Sequence, residues 1–282
     1  MNKRKTMQIR HAISPQETAS LNSQGLRDHF LIENVCAPAA LQLVYSHYDR
    51  VIIGGVSPLG EGVVLPNYDA LKSEYFLERR EMGVINVGGE GSITVDGQNF
   101  DLPRLSCLYI GRGAKNVEWH SKNPAEPAHF FLLSAPAHAV YPTKLMLKEA
   151  ATPVTMGATE TANNRTIYKY IHADGLASCQ LVMGLTILHP GNVWNTMPPH
   201  VHDRRMEAYF YFDIPDNQRM LHLMGEPQET RNIWVANHQA VISPPWSIHA
   251  GCGTHNYGFI WGMAGENQQF TDMDFQPVEV LR

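Results

Sequence analysis

Paired cysteines, long apolar runs and concentrated positive charge are all missing from this 282-residue chain. Its four cysteines, Cys36, Cys107, Cys179 and Cys252, stand far apart with no CxxC pair. That spacing argues against a disulfide framework or a thiolate metal site, and the thiols read as small buried residues in a reducing compartment. No apolar run approaches the roughly 20 residues that span a bilayer. The strongest, around residues 130–133, is followed by Pro136 and His138, so no membrane partner is expected. Lysine and arginine total 22 against 27 acidic residues, a net charge of -5, and no basic tract follows the first few residues. Phosphate binding needs a concentrated basic face, so no nucleic-acid partner is expected either. The start, Met1-Asn2-Lys3-Arg4-Lys5, is basic but leads into no apolar core of the kind a signal peptide has, and a cytoplasmic location is expected.

What is present is ordinary globular composition, 44% hydrophobic and 17% charged, in a chain long enough for one large or two medium cores. Short β-branched and aromatic runs divided by turn residues predict strands near 51–53, 83–87, 92–95, 107–110 and 130–133. A second set follows near 166–171, 181–188, 207–212, 220–224, 240–242 and 259–263. Asp96-Gly97 marks a hairpin turn. Strands this short and dense predict an all-β sandwich or barrel, not βαβ units. Helices are expected only near 16–30, with Ser14 as cap and Pro15 in the first turn, and near 68–77. The Thr-, Ala- and Asn-rich stretch 141–165 reads as a linker or surface arm. The halves echo each other: Glu78-Arg79-Arg80-Glu81-Met82 matches Asp203-Arg204-Arg205-Met206-Glu207, and 108–113 sits where 240–245 does. A duplicated domain is therefore expected.

Histidine is abundant, 14 in all, and its spacing is informative. His200 and His202 are two apart, so an extended strand turns both imidazoles to one face. Glu207 lies five past His202, an odd step that would flip it to the other face of one straight strand. Asp203-Arg204-Arg205 must therefore turn or bulge, returning Glu207 on the next strand. His249 arrives from a distant strand after Pro244-Pro245. Three imidazoles and a carboxylate suit a borderline divalent ion such as Zn²⁺, with Fe, Mn, Co and Ni also compatible. A lone HxH is usually a pair of surface histidines. Here the spacing HxHx4E is joined by a further histidine beyond a proline turn.

That pattern resembles the cupin superfamily, with Trp246 where the usual second motif has glycine. The strings Asn195-Thr196-Met197-Pro198, Arg204-Arg205-Met206-Glu207, Pro227-Gln228-Glu229-Thr230-Arg231, Pro245-Trp246-Ser247-Ile248-His249 and Trp261-Gly262-Met263 resemble the 5-keto-4-deoxyuronate isomerase family. Tyr48-Asp49-Arg50 and Tyr75-Phe76-Leu77-Glu78-Arg79-Arg80-Glu81 extend the likeness, which runs from about Met7 to the end. The resemblance implies a two-cupin (jelly-roll) fold in four stretches: an arm over 1–30, a degenerate structural cupin over 31–140, the linker 141–165 and a metal-binding cupin over 166–282. It implies one Zn²⁺ per subunit on His200, His202, Glu207 and His249, a small-molecule uronate substrate from pectin breakdown, and a homo-oligomer, usually a hexamer. In the first half Glu74 and Phe76 stand where the HxH pair would be. The run Ala208-Tyr209-Phe210-Tyr211-Phe212, apolar on both faces, independently suggests a strand covered on both sides, by the other cupin or by another subunit.

The implied reaction moves a proton between C2 and C1 of an aldose–ketose pair. Glu207, His222 and a tyrosine are the candidate bases; Tyr209 and Tyr211 share the face of Glu207 by strand alternation, and Tyr209 could also contact substrate. A substrate carboxylate asks for a cation, for which Arg204, Arg205 and Arg231 are candidates. Three readings compete with this one: an isomerase of 5-deoxy-glucuronate in inositol breakdown, an Fe(II) cupin dioxygenase, and a sugar-binding cupin without turnover.

Overall fold

The computed structural model describes residues 6–266 and 268–282, and of Phe270 the backbone alone; residues 1–5 of the short N-terminal extension lie outside the described residues. The predicted strands form, most of them longer by a residue or two. Residues 107–110 are the strand Cys107–Ile110, and 207–212 lengthens to Arg205–Phe212. Asp96 and Gly97, both at positive φ, turn the hairpin that pairs Val95 with Gln98. Strands missed from sequence, such as Gln98–Leu102 and Glu229–Val235, are the outer, more polar partners of a smaller sheet, where neither face is wholly apolar.

Two compact units result. The first comprises the described residues up to Ile9, Asn34–Ala151 and Tyr170–Val182; the second comprises Arg10–Glu33, Thr152–Lys169 and Met183–Arg282. Each is built on a seven-stranded and a four-stranded antiparallel sheet. In the first, the large sheet has Ile52–Val56, Phe130–Pro136, Arg80–Asn86 and Cys107–Ile110 side by side. In the second, Val182–Leu188, Gly258–Gly265, Arg205–Phe212 and Ala240–Ser243 repeat that order. The small sheets repeat too: Val63–Val64, Val117–Ser121, Gly91–Val95 and Gln98–Leu102 match Trp194–Asn195, Ala250–Gly253, Met220–Glu226 and Glu229–Val235. The fold is thus a duplicated jelly roll.

Register shows why the first unit has no counterpart of the candidate ligand Glu207. Met82 pairs with Ile110 as Glu207 pairs with Ser243, so Met82 stands where the second unit has its carboxylate. Around it Phe76, Leu77, Val84, Trp119 and Phe130 form a buried apolar cluster. A methionine in a dry core offers neither charge nor a hard ligand atom.

The sequence reading needs correction at several points. The segment 16–30 is two helices: Pro15–Ala19, closed by a reciprocal Ser14–Glu17 capping box, and Ser23–Phe30, capped by the Asn22 side chain. The helix expected near 68–77 is a single 3-10 turn, Asp69–Leu71, ended by left-handed Lys72. The units also do not follow each other along the chain as expected. Residues 10–30 of the expected arm belong to the second unit, where Arg231 binds the Ala19 and Leu21 carbonyls, and so do Leu31 and Ile32 of the expected first cupin, which pair with Val241 and Ala240. The stretch 141–165 carries edge strands: Lys144–Met146 pairs along Tyr109–Cys107, and Val154–Met156 along Ile167–Arg165. All eight residues of Arg205–Phe212 are buried within the single chain, so its aromatic run requires no second subunit as cover. The four cysteines are free; Cys107 is buried and the other three half-buried.

Candidate metal centre

His200 lies in a short strand, His200–Val201, held by pairing with Asp274–Phe275, and His202 follows directly after it. Asp203 and Arg204 then turn, and Glu207 returns on Arg205–Phe212, as the odd spacing requires. His249 stands just ahead of the strand Ala250–Gly253, after a turn through Pro245 and Trp246. That turn is tied to the first ligand segment, because the His202 N–H donates to the Pro245 carbonyl at 3.1 Å. Three separate stretches of chain thus deliver four side chains to one point.

One donor atom from each of His200, His202, Glu207 and His249 lies within 4.8 Å of the others, and all four residues are buried. The Glu207 Oε2 is 2.8 Å from His249 Nε2 and 3.1 Å from His202 Nε2. The Nε2 atoms of His200 and His249 are 3.0 Å apart, so both cannot carry a proton. Metal–ligand lengths of about 2.0–2.1 Å place tetrahedral donors roughly 3.3 Å apart, which these separations approach. Burial, then the neighbouring His249, pushes the His200 pKa down to about 2, leaving it neutral as a ligand must be. For Glu207 burial works to raise the pKa, yet His249 and His202 hold it well below the usual carboxylate value, so it is an anion. The residues fit a divalent ion.

Outer partners orient the ligands. Ser243 Oγ is 3.3 Å from His249 Nδ1. Asp272 Oδ1 lies 3.7 Å from His202 Nδ1 and accepts a 2.6 Å hydrogen bond from Arg205 Nη2. His202 Nδ1 makes no hydrogen bond among the described residues, so the Asp272 charge, itself paired with Arg205, acts on that ring electrostatically. Asp272→Asn keeps the shape but removes the charge that favours a proton on Nδ1 and a free Nε2. We expect metal affinity to fall about 10- to 100-fold, read by competition with a chelating dye. Unchanged affinity would show that Asp272 serves only the buried arginine.

Beyond the ligands, the face of Glu207 carries Tyr209 and Tyr211 as alternation predicts. The Tyr211 hydroxyl is 2.7 Å from His222 Nδ1, and the Tyr209 hydroxyl is 2.9 Å from Thr196 Oγ1. The Tyr209 ring lies 5.4 Å from His249 and 5.7 Å from His222. Burial drives both phenols well above their ordinary pKa, with Glu207 adding to the rise at Tyr209. Burial, followed by His249, pulls His222 down to about 3. The site thus holds protonated tyrosines and a neutral histidine, whose Nε2 is buried without a hydrogen-bond partner.

The arginines fall elsewhere than expected. Arg204 is exposed in the turn, 3.7 Å from Glu266. Arg205 is buried on Asp272. Arg231 binds the carbonyls of Ala19 and Leu21, pinning the N-terminal helical segment. None of the three presents a free guanidinium to the histidines. Sequence reasoning missed Asp272, which comes from a segment with no local pattern, and Ser243, although 240–245 is matched to 108–113 and Thr196 lies in a string singled out for its resemblance.

A duplicated jelly roll with HxH, glutamate and a distant histidine converging inside its second unit has the two-cupin fold, with a candidate metal site in that unit. The chain belongs to the KduI/IolB family, whose signature matches residues 40–278. It is 54% identical over 276 residues to the 4-deoxy-L-threo-5-hexosulose-uronate ketol-isomerase of Shouchella clausii, covering 98% of this chain and 100% of that one. It is 52% identical to the protein of the same name from Halalkalibacterium halodurans, again over 98% and 100%. Among solved structures, an IolB-like protein from Salmonella typhimurium superposes with a TM-score of 0.66 at 15% identity, covering 97% of this chain and 94% of that one. Bacillus subtilis oxalate decarboxylase, described with Mn(II) centres, gives 0.53 at 9% identity over 78% and 70%. These structures share the fold. Among the described residues no helix is long and apolar enough to cross a membrane.

Proposed function

We propose that this protein is a metal-dependent ketol-isomerase that converts 4-deoxy-L-threo-5-hexosulose-uronate (5-dehydro-4-deoxy-D-glucuronate) to 3-deoxy-D-glycero-2,5-hexodiulosonate. The observation that carries the reading is the buried His200, His202, Glu207 and His249 set with an anionic carboxylate at its centre. Relatives that bear the ketol-isomerase name match it at above 50% identity over their whole length, whereas the IolB-like structure is only 15% identical. The name those relatives carry favours this substrate over 5-deoxy-glucuronate.

The isomerisation breaks the C2–H bond and forms a C1–H bond, passing through an enediol. A bound divalent ion supplies Lewis-acid stabilisation of the oxyanion charge that develops. The protein supplies the rest. Glu207 is an anion able to accept the C2 proton and return it to C1. Tyr209 and Tyr211, held protonated, donate hydrogen bonds toward developing negative charge. His222, neutral and with Nε2 unpartnered, is a second group that can hold or pass a proton. Zinc is the proposed metal, one per subunit, because three imidazoles and a carboxylate match its preferences. A homo-oligomer, in particular a hexamer, a cytoplasmic location and a role in pectin breakdown belong to the same reading through the family likeness.

An NMR time course on the open-chain uronate, run without oxygen, tests the reaction. The metal-loaded protein should convert aldose to ketose, lose activity on chelation and regain it when a divalent ion is restored. Oxygen consumption with oxidised product would make it a dioxygenase. Saturable binding without conversion would make it a sugar-binding cupin.

A further inference from the structure

The echo between the halves puts an arginine at the same point of each unit, in different surroundings. Arg80 pairs with Pro136 as Arg205 pairs with Gly265, and each lies two residues before the matched position of Met82 or Glu207. Both are buried, Arg80 at 6% and Arg205 at 1% exposure. Arg205 has a counter-ion, because Asp272 accepts from its Nη2 at 2.6 Å. That carboxylate arrives on the chain that continues from Gly265, seven residues on. The matching chain after Pro136 reaches no acidic residue before Glu149.

Arg80 is held by neutral groups instead. Its Nε donates to Ser134 Oγ at 3.1 Å, and its Nη2 donates to the carbonyls of Arg50 and Ser134, both at 2.7 Å. The guanidinium carbon is 5.9 Å from the centre of the Tyr45 ring. Among the described residues Arg80 forms no ion pair, and its Nη1 has no acceptor. Glu81, whose charge acts on Arg80, is bound elsewhere. It accepts from the Tyr109 hydroxyl and from the N–H groups of Cys179, Gln180 and Leu181 at 2.7–3.0 Å. Burial lowers the Arg80 pKa to about 10, with Tyr45 and Glu81 opposing the fall, so the group stays a cation near neutral pH.

A charge this deep is costly unless something pairs with it. Beside Arg80 lies a cavity of about 140 Å³, lined also by Tyr45, Ala70, Ser73, Phe76 and Arg79. At about 30 Å³ per water that is room for roughly four or five waters, enough for a carboxylate group. Among the described residues none that lines it is acidic. Arg79 brings a second positive charge; its Nη2 donates to the Lys72 carbonyl, with Glu78 at 3.9 Å. Two sequence strings that the metal centre leaves unused, 48–50 and 75–81, meet here through the Arg50 carbonyl and the residues of the cavity wall.

We propose that this cavity of the first unit binds a small carboxylate, which gives Arg80 the counter-ion that Asp272 gives Arg205. A carboxylate is the matching ligand because it completes the same arginine in the second unit, through a charge-assisted hydrogen bond. The site lies wholly within the first unit and is independent of the reaction proposed above.

The probe is sodium acetate, titrated against full-length, metal-loaded protein with chloride exchanged to hold ionic strength constant. At about 0.1 M acetate, with a dissociation constant on the order of 10 mM, the thermal midpoint should rise by about 2–5 °C. Acetamide, of the same shape without the charge, should give no rise. Arg80→Met removes the cation and should lose the response to acetate. Ala70→Glu leaves Arg80 in place and adds a carboxylate from the exposed turn in the cavity wall. It should raise the midpoint without acetate and lose the further response. Metal content is matched across the proteins, since acetate bound at the metal would act equally on all three. An equal rise in all three, an equal rise with acetamide, or no rise in the parent would overturn the site. If Arg80→Met does not fold, Ala70→Glu decides alone, and a parental response to acetate there overturns it.

Discussion

Glu207→Gln, loaded with zinc to the same occupancy as the parent, should turn over about 10²-fold or more slowly, the range expected when a general base is removed. The substitution preserves size and one acceptor oxygen at a position only 4% exposed. It deletes the negative charge that His249 and His202 hold in place, and with it the ability to accept a proton. Metal should persist because three imidazoles alone make a sufficient catalytic ligand set. Elemental analysis beside kcat separates the two effects. A zinc-loaded variant running near the parent rate would restrict Glu207 to ligation, and His222, 2.7 Å from the Tyr211 hydroxyl, becomes the next residue to replace.

His249→Ala should behave differently, losing metal and activity together. His200 and His202 share one short segment, and Glu207 follows them across a two-residue turn. His249 alone closes the set from a distant part of the sequence, with Nε2 within 3.0 Å of His200 and 2.8 Å of Glu207. Its removal should weaken metal binding beyond the roughly 10- to 100-fold expected for an outer partner such as Asp272. Far-UV circular dichroism should be retained, since the apolar cluster around Trp119 and Phe130 includes no residue of the site. The thermal midpoint should stop responding to added metal, because stabilisation by a ligand requires that it bind. A variant that keeps parental zinc would show that His249 is not a ligand.

The two expected outcomes differ because the site joins nearby and distant residues, and the same distinction governs what could be read in advance. The two-residue step between His200 and His202 depends only on strand geometry. The odd step to Glu207 is equally local: it demanded a turn, and Asp203 and Arg204 make one. The echo between the halves survives as a shared strand order, with Met82 in the place of Glu207. Arginine roles were harder. Arg204 and Arg205 are neighbours with the same charge, yet one faces solvent and the other is buried on Asp272. Alternation puts them on opposite sides, but which side is inside depends on the neighbouring strand and on a C-terminal segment 67 residues away.

The sequence by itself determined the strand-rich character, the echo between the halves and the spacing of His200, His202 and Glu207, because periodicity, turn residues and local spacing are properties of short stretches. Tertiary structure decided the surroundings of the candidate ligands. It exchanged chain segments between the units through the pairing of Leu31 and Ile32 with Val241 and Ala240, and placed Asp272 beside His202. Those relations arise where distant segments close on each other. Burial and electrostatic partners are fixed by contacts in space, and a side chain's neighbours along the chain do not determine them.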